Sequence, residues 1–137
     1  MGPAKTVLFV CIENSNRSQM AEAFARMHGG DAVEAHSAGS RPSGKVNPRA
    51  IQFMAEKHYD LSAHHSKSLD PFNGTTLDMA VTMGCGDYCP LVNACRREDW
   101  NIPDPKNLHD EGFREVRDLI EKKVKELLVS LGVRTPT

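Results

Sequence analysis

Apolar residues along the chain fall into two kinds of segment, short continuous runs and longer stretches with helical spacing. The clearest run covers residues 7–10, Val-Leu-Phe-Val, and predicts a buried parallel strand. Shorter runs predict further strands at residues 33–36, 78–82 and 98–102. The hydrophobic pattern therefore predicts a small sheet whose strands are spread along the whole chain.

Helical patterns separate these predicted strands. Residues 18–27 predict a first helix, and residues 47–58 predict a second helix with Asn47 as its N-cap. Between residues 111 and 131 the apolar positions recur at helical spacing, which predicts a third helix. Strands that alternate with helices predict an α/β fold with a parallel sheet covered on both faces, and a site at the carboxyl ends of the strands.

Length and charge narrow the class of protein further. The chain has 137 residues and a formal net charge of −1. We expect one domain, residues 1–137, that acts as a monomer. The chain has no basic footprint, which argues against nucleic acid as a partner. It has no apolar stretch of membrane-spanning length, so we expect no membrane association and a cytoplasmic protein.

One loop carries most of the candidate chemistry. Cys11 follows the first predicted strand, and Arg17 comes six positions later, where the first predicted helix begins. The candidate oxyanion-binding loop consists of Cys11, Ile12, Glu13, Asn14, Ser15, Asn16 and Arg17. Amides at a helix N-terminus and a guanidinium fork bind tetrahedral anions, and both favour the nucleophilic thiolate of a nearby cysteine. The alternative interpretation is a buried structural cysteine near an exposed arginine.

A carboxyl group is predicted to lie over this loop. Asp104 directly precedes Pro105, and a residue before proline is biased toward an extended conformation. A loop carboxyl of this kind can hang over an anion site. The alternative interpretation is an ordinary turn aspartate.

The remaining cysteines follow the third predicted strand. They are Cys85, Cys89 and Cys95. Four cysteines are too sparse for a secreted disulfide scaffold, so a catalytic or metal-binding role in a reducing compartment fits better. Cys85 and Cys89 are close enough in sequence to approach one another in a turn, whereas Cys95 is either a spare thiol or a plain cysteine.

Metal binding is the competing explanation for these cysteines. A zinc site would need a distant histidine such as His109, and the chain has no Cys-x-x-Cys pair. The histidines, including His64 and His65, are expected to be exposed or satisfied locally. We therefore predict no metal site.

The ordered motifs resemble a known family. Besides the loop from Cys11 to Ser18, they are Ser37-Ala38-Gly39, Asn47-Pro48, the segment 81–90, Trp100 and Asp104-Pro105. Together they resemble the low-molecular-weight phosphotyrosine phosphatases and, within that fold, the thioredoxin-coupled arsenate reductases. The resemblance covers nearly the whole chain and implies a three-layer fold with four parallel strands in the order 2-1-3-4.

The resemblance also implies a reaction. Cys11 would attack arsenate held by Arg17 and Ser18, and Asp104 would act as the general acid. Cys85 and Cys89 would then form a thiol–disulfide relay that thioredoxin recycles, with no tightly bound cofactor. Cys85 comes one residue later than in many relatives, and Cys89 follows only four residues on, so the order of the relay stays open.

A further implication concerns support for the loop. In the arsenate reductases a monovalent cation binds near residues that match Asn14, Glu22 and Ser37. A fourth, acidic or amide ligand aligns with Lys67, so a lysine stands where an oxygen ligand is expected. We hypothesise that the Lys67 ammonium takes the place of the cation and bridges toward Asn14 and Glu22.

Two other functions stay open at this stage. A tyrosine phosphatase would share the first chemical step, but those enzymes typically carry proline and tyrosine where this chain has Gln19 and Lys106. A non-catalytic oxyanion sensor could use the same loop. The combination of a nucleophile, an acid and a thiol pair favours the reductase.

Overall fold

The computed structural model describes residues 4–72, 76–83 and 94–133. Its sheet has four parallel strands, named β1 to β4 in chain order, that lie in the order β2-β1-β3-β4. The strands are β1 Lys5–Cys11, β2 Val33–Gly39, β3 Leu77–Thr82 and β4 Ala94–Asp99. The predicted fold class and strand order are confirmed.

In the part of the chain that the structure describes, three α-helices accompany the sheet. They are α1 Arg17–Gly29, α2 Pro48–Ala55 and α3 Asp110–Ser130. As predicted, Asn47 caps α2, because its side chain accepts a hydrogen bond from the second helical amide at 2.8 Å. The helix ends at Ala55, earlier than the predicted residue 58. His58 has a φ of 64°, and the amide that follows it donates back to the Met54 carbonyl at 3.2 Å. This reversal in the left-handed region is a common helix stop.

The fourth strand lies earlier than predicted. The apolar residues at 98–102 suggested a strand there, but β4 is Ala94–Asp99 and pairs with β3 along its mostly exposed length. Trp100 and Ile102 follow the strand and are buried, with the Trp100 ring 6.0 Å from that of Phe9. β4 is an edge strand with mostly solvated side chains, so its apolar signal belonged to the residues after it.

One face of the sheet carries the main core. Side chains alternate between faces along a strand, and Val7 and Phe9 of β1 lie on the face that packs against all three helices. The largest buried helix residues in this cluster are Met20, Phe24, Phe53, Met54 and Phe113. The helical apolar spacing predicted between residues 111 and 131 is confirmed, since Val116, Ile120, Val124 and Leu127 of α3 are buried.

The other face is more thinly covered by the described part of the chain. Leu8 and Val10 of β1 pack there with Ala38, Leu69 and Phe72. Burial of β1 on both faces explains its continuous apolar run. Within the described ranges, no helix is long and apolar enough to cross a membrane.

The carboxyl end of β1 sets the position of the loop. Cys11 is the last residue of β1 and lies opposite Gly39 of β2 in the register. A Cβ added at Gly39 would lie 2.5 Å from the Ile12 carbonyl oxygen and 3.0 Å from the Asn14 amide. Glycine is therefore required here for close approach, and β2 supports the loop directly.

Candidate active site

The loop between β1 and α1 turns its amide groups inward. The carbonyls of three loop residues accept hydrogen bonds from the segment 41–47: Ile12 from Arg41 at 2.8 Å, Glu13 from Ser43 at 3.0 Å and Ser15 from Asn47 at 3.0 Å. The C=O and N–H of a trans peptide point in opposite directions. The amides that follow these carbonyls, at residues 13, 14 and 16, therefore point to the inside of the loop, as anion binding requires.

A cavity of about 170 Å³ opens inside this loop. It is lined by Cys11, Ile12, Glu13, Ser15, Asn16, Arg17, Asp104 and Lys106. The structure thus brings the predicted nucleophile, the predicted anion-binding arginine and the predicted acid to one cavity. Asn14 is fully buried behind it.

Cys11, which lines the cavity, lies in hydrogen-bond contact with Ser18. The residue is buried, with 3% of its surface exposed, and its Sγ lies 2.8 Å from Ser18 Oγ. Asn14 Nδ2 donates to the same Ser18 oxygen at 2.8 Å. Because the Ser18 oxygen accepts from Asn14, its own hydrogen is available for the sulfur. A donor aimed at Sγ stabilises the negatively charged nucleophile.

The donors continue behind Asn14. Gln19 Nε2 donates to Asn14 Oδ1 at 3.0 Å, and His64 Nδ1 lies 3.0 Å from Gln19 Oε1. Tyr59 OH lies 2.6 Å from His64 Nε2. If each hydrogen is assigned from the partners' needs, every bond from Tyr59 to Cys11 donates toward the sulfur. Such a chain of aligned donors reinforces itself in a buried environment.

The direction of these hydrogen bonds, from Tyr59 toward Cys11, requires His64 to be neutral. Burial lowers the pKa of His64 below its ordinary value, and the nearby Glu22 carboxylate opposes that shift. A neutral ring donates through Nδ1 to Gln19 and accepts at Nε2 from Tyr59. Burial also raises the pKa of Tyr59, which keeps its hydroxyl a donor.

Arg17 joins the loop to the segment that carries Asp104. Its guanidinium is buried and donates from NH1 to the Ile102 carbonyl at 2.9 Å. Asp104 is exposed at the cavity wall, and its Oδ1 accepts from the Lys106 amide at 3.0 Å. Asp104 therefore makes the ordinary turn contact and also faces the anion cavity, so both interpretations of this residue describe real contacts.

A charged cluster supports the loop from behind. The buried Glu22 carboxylate accepts from Ser37 Oγ at 2.6 Å and from Arg26 Nε at 2.9 Å. Lys67 Nζ lies 3.6 Å from Glu22 Oε1 and 3.4 Å from Ser37 Oγ. The Lys67 ammonium thus reaches Glu22, whereas Asn14 is contacted by the main-chain amide of Lys67 at 2.9 Å.

The predicted relay cysteines come after Met83, at which the second described range ends. Cys85 and Cys89 fall outside the described residues, so their predicted roles stay predictions. Two residues before Cys85, the Met83 amide donates to the Val10 carbonyl at 2.9 Å, next to Cys11. Cys95 is exposed on β4. Within ranges 4–72, 76–83 and 94–133, no group of histidine, cysteine and carboxylate side chains could hold a metal ion.

Several residues at the site had not been assigned a role from the sequence. His64 and Tyr59 join the loop through long-range contacts, and no local spacing signals them. The sequence had assigned Asn14 to the loop and its support, and the structure shows its side-chain amide in contact with Ser18, Gln19 and the Lys67 main chain. The polar character of these residues was the sequence feature that could have indicated a role at the site.

The fold and the loop together define an α/β protein in which a cysteine and an arginine line one cavity. The chain matches the family described as "Low molecular weight phosphotyrosine protein phosphatase" over residues 6–135. It therefore belongs to that family, and the family resemblance drawn from the sequence is confirmed.

Two curated relatives carry more specific names. The chain is 36% identical over 131 residues to the "Glutaredoxin arsenate reductase" of Synechocystis sp., covering 93% of this chain and 99% of the relative. It is 38% identical over 126 residues to the "Arsenate reductase 2" of Staphylococcus saprophyticus, covering 89% and 95% respectively.

Solved structures give the same picture. The chain is similar to "An arsenate reductase in the phosphate binding state", with a TM-score of 0.84, 37% identity, and coverage of 92% of this chain and 98% of that chain. It is also similar to a thioredoxin-dependent arsenate reductase of Corynebacterium glutamicum, with a TM-score of 0.79 and 31% identity. That alignment covers 96% of this chain and 63% of the other.

The Ser18 hydrogen bond predicts how reactive Cys11 is. Replacing Ser18 with alanine removes the donor nearest to Sγ, and a hydrogen bond to a charged group is typically worth about tenfold or more in an equilibrium. We expect Ser18→Ala to slow alkylation of Cys11 by iodoacetamide at neutral pH about tenfold. Peptide mass mapping follows the modified thiol. Ser130→Ala in α3, whose hydroxyl bonds the Leu127 carbonyl, is the matched control and should leave the rate unchanged; equal rates in both variants would contradict this assignment.

The position of the Lys67 ammonium predicts that the stability and activity of the protein do not depend on a bound monovalent cation. Because it already lies between Glu22 and Ser37, exchange of potassium for sodium at constant ionic strength should not change the melting temperature or activity. Lys67→Asp should introduce a potassium dependence, since it exchanges the tethered cation for a carboxylate. Lys122→Asp on the exposed side of α3 controls for the change in charge. Strong potassium stimulation of the unmodified protein would show that the ammonium does not serve as the cation.

Proposed function

We propose that the protein is an arsenate reductase that reduces arsenate to arsenite through Cys11 and a thiol–disulfide relay. The observation that carries the proposal is that Cys11, Arg17 and Asp104 line one anion-sized cavity. The names of the relatives and the phosphate-bound state of one similar structure support the choice of an oxyanion substrate.

The first step is nucleophilic attack. The inward amides and Arg17 hold the tetrahedral oxyanion, and Cys11 Sγ attacks its arsenic atom. Asp104 donates a proton to the departing oxygen, which leaves as water. Ser18 contacts the sulfur, and Asn14 orients the Ser18 hydroxyl, so the nucleophile is positioned before the attack. The product of this step is a Cys11–arsenate adduct.

The second step transfers two electrons. A thiolate of Cys85 attacks Cys11 Sγ, the sulfur–arsenic bond breaks, and its electron pair stays on arsenic, which leaves as arsenite. The resulting Cys11–Cys85 disulfide is attacked by Cys89, which frees Cys11. The Cys85–Cys89 disulfide then carries the two oxidising equivalents. Both relay roles rest on the sequence and on the position of Met83 beside β1.

The electron donor is a small dithiol protein. One relative is named as a glutaredoxin arsenate reductase and one similar structure as a thioredoxin-dependent enzyme, so a reductant of the thioredoxin or glutaredoxin type fits this family. We propose thioredoxin, because an intramolecular Cys85–Cys89 disulfide is the substrate that a dithiol exchanges with directly. Four thiols suit a reducing compartment, and we propose a cytoplasmic protein that works as a single chain.

Phosphate-monoester hydrolysis is the alternative, and the family itself favours it. The first attack would be the same on phosphorus, and water would then release phosphate from Cys11. Lys106 lies at the cavity where phosphatases place a tyrosine to hold the substrate ring. This difference and the thiol pair make the reductase the better account.

The proposed role of Asp104 as the general acid predicts that its removal reduces turnover without reducing anion binding. We expect Asp104→Asn to bind inorganic phosphate normally but to slow arsenate turnover by about two to four decades, the usual contribution of a positioned acid. Asp60 caps another turn in the same way, since its Oδ1 accepts from the Ser62 amide at 3.0 Å. Asp60→Asn is therefore the matched control and should keep full turnover. Unchanged turnover in Asp104→Asn would remove this residue from the mechanism.

The relay predicts a defined set of disulfides. After one turnover with arsenate and no reductant, peptide mapping should find Cys85–Cys89 with Cys11 free, because the last exchange releases the nucleophile. Cys89→Ser should trap Cys11–Cys85 instead. Cys85→Ser should abolish arsenate turnover while hydrolysis of p-nitrophenyl phosphate survives.

Cys95→Ser is the control for this series, because Cys95 lies exposed on β4. It should change little. A trapped disulfide that contains Cys95 would show that the relay order is wrong. If no disulfide forms at all, the reductase proposal fails and the phosphatase becomes the better account.

A further inference from the structure

Two oppositely charged side chains meet at the cavity wall. Glu13 Oε1 lies 3.8 Å from Lys106 Nζ, and their side chains are 44% and 50% exposed. Both residues line the cavity that contains Cys11. Glu13 comes from the loop after β1, and Lys106 from the turn after Asp104. The ion pair therefore connects the wall that carries the nucleophile to the wall that carries the acid.

The backbone of each partner is held in place. The Glu13 carbonyl accepts from the Ser43 amide at 3.0 Å and from Ser66 Oγ at 2.9 Å. The Lys106 carbonyl accepts from Arg49 NH1 at 3.2 Å. Because both main chains are fixed, the two side chains can separate while the walls stay in position.

The same two walls are connected a second time. Arg17 donates to the Ile102 carbonyl at 2.9 Å, and both of these residues are buried. The Arg17 contact joins the walls at depth, and the ion pair joins them at the solvent-exposed rim. Arg17, Glu13 and Lys106 all line the cavity of about 170 Å³.

We propose that the Glu13–Lys106 ion pair is a specificity determinant that favours free tetrahedral oxyanions over the same head group carrying an organic substituent. In this proposal an inorganic oxyanion occupies the cavity with the pair intact. The substituent of an ester must extend through the rim, so the pair has to open before an ester binds. This inference rests on the proposed function, because it names the substrate class of the same cavity.

The ion pair can affect anion binding in two separable ways, through its charges and by closing the rim of the cavity. Removing Glu13 strengthens the binding of every dianion, and removing Lys106 weakens it, because both charges act on the anionic head group. This change in field affects an inorganic anion and a substituted anion alike. Closure affects the substituted anion alone. The ratio of the two affinities therefore reports closure with the effect of charge removed.

The experiment compares inorganic phosphate with phenylphosphonate, which carries a tetrahedral head group and cannot be hydrolysed. Dissociation constants are measured by calorimetry on the reduced protein. Glu13→Ala and Lys106→Ala should each shift the ratio toward phenylphosphonate by about two- to fivefold, the range that fits one exposed ion pair. Affinity for phosphate alone should move in opposite directions in the two variants.

A charge swap tests the pair itself. Glu13→Lys combined with Lys106→Glu rebuilds the contact with reversed polarity and should return the ratio to the parent value. Arg96→Ala is the matched control, because it removes an exposed ion pair with Glu98 at 3.9 Å on β4, and it should leave the ratio unchanged. A constant ratio in both single variants, or a swap that does not restore it, would overturn the inference.

The measurement is independent of redox turnover. A protein that binds both anions with the expected ratios but produces no arsenite would refute the proposed function and support the specificity role. A protein that reduces arsenate while the variants keep the parent ratio would support the function and overturn the specificity role. Failure of the parent to bind either anion would overturn both.

Discussion

The active-site loop depends on the side-chain amide of Asn14. This residue has a φ of 51°, in the left-handed region that asparagine tolerates better than most residues. Its oxygen accepts from the Lys67 amide and from Gln19, and its nitrogen donates to Ser18. Because both ends of the amide are bound, its orientation is fixed, and so is the turn of the main chain that aims the loop amides at the cavity. The hydrogen bond to Cys11 and the anion-binding amides therefore share one support.

The side of the loop that faces the cavity and the opposite side, which faces Glu22, differ in their charged groups. Behind the loop the Glu22 carboxylate is compensated by Arg26 and Lys67, which a buried carboxylate requires. His64 lies against the same carboxylate, and burial lowers its pKa, so the donor chain gains no further positive charge. The cavity side presents Arg17 and the loop amides, with the carboxyl groups of Glu13 and Asp104 at its wall. Lys67 serves the two sides through different atoms: its ammonium neutralises the back, and its amide orients Asn14.

Local patterns predicted the parts of this arrangement that are local. The run before Cys11, the spacing to Arg17 and the Asn47 cap each depend on neighbours in sequence, and the structure has all three. The strand predicted at residues 98–102 was placed too late, because Trp100 and Ile102 are buried by tertiary packing after the edge strand has ended. His64 reaches the loop through Gln19, which lies 45 residues earlier in the sequence, and Tyr59 contacts His64. No periodicity encodes such a contact, so the donor chain emerges from the folded structure alone.

Reduction and hydrolysis begin with the same attack, so the loop and its supports serve both reactions equally. The two reactions diverge afterwards, because water must attack the bound central atom, whereas a thiol must attack the sulfur of Cys11. A thiol that attacks sulfur has to arrive beside the end of β1. The parallel pairing of β3 with β1 brings the chain there, since Thr82 lies opposite Val10 and the Met83 amide bonds the Val10 carbonyl. The strand order thus does more than build the core: it places Met83, two residues before the proposed second nucleophile in sequence, beside the strand that ends at Cys11.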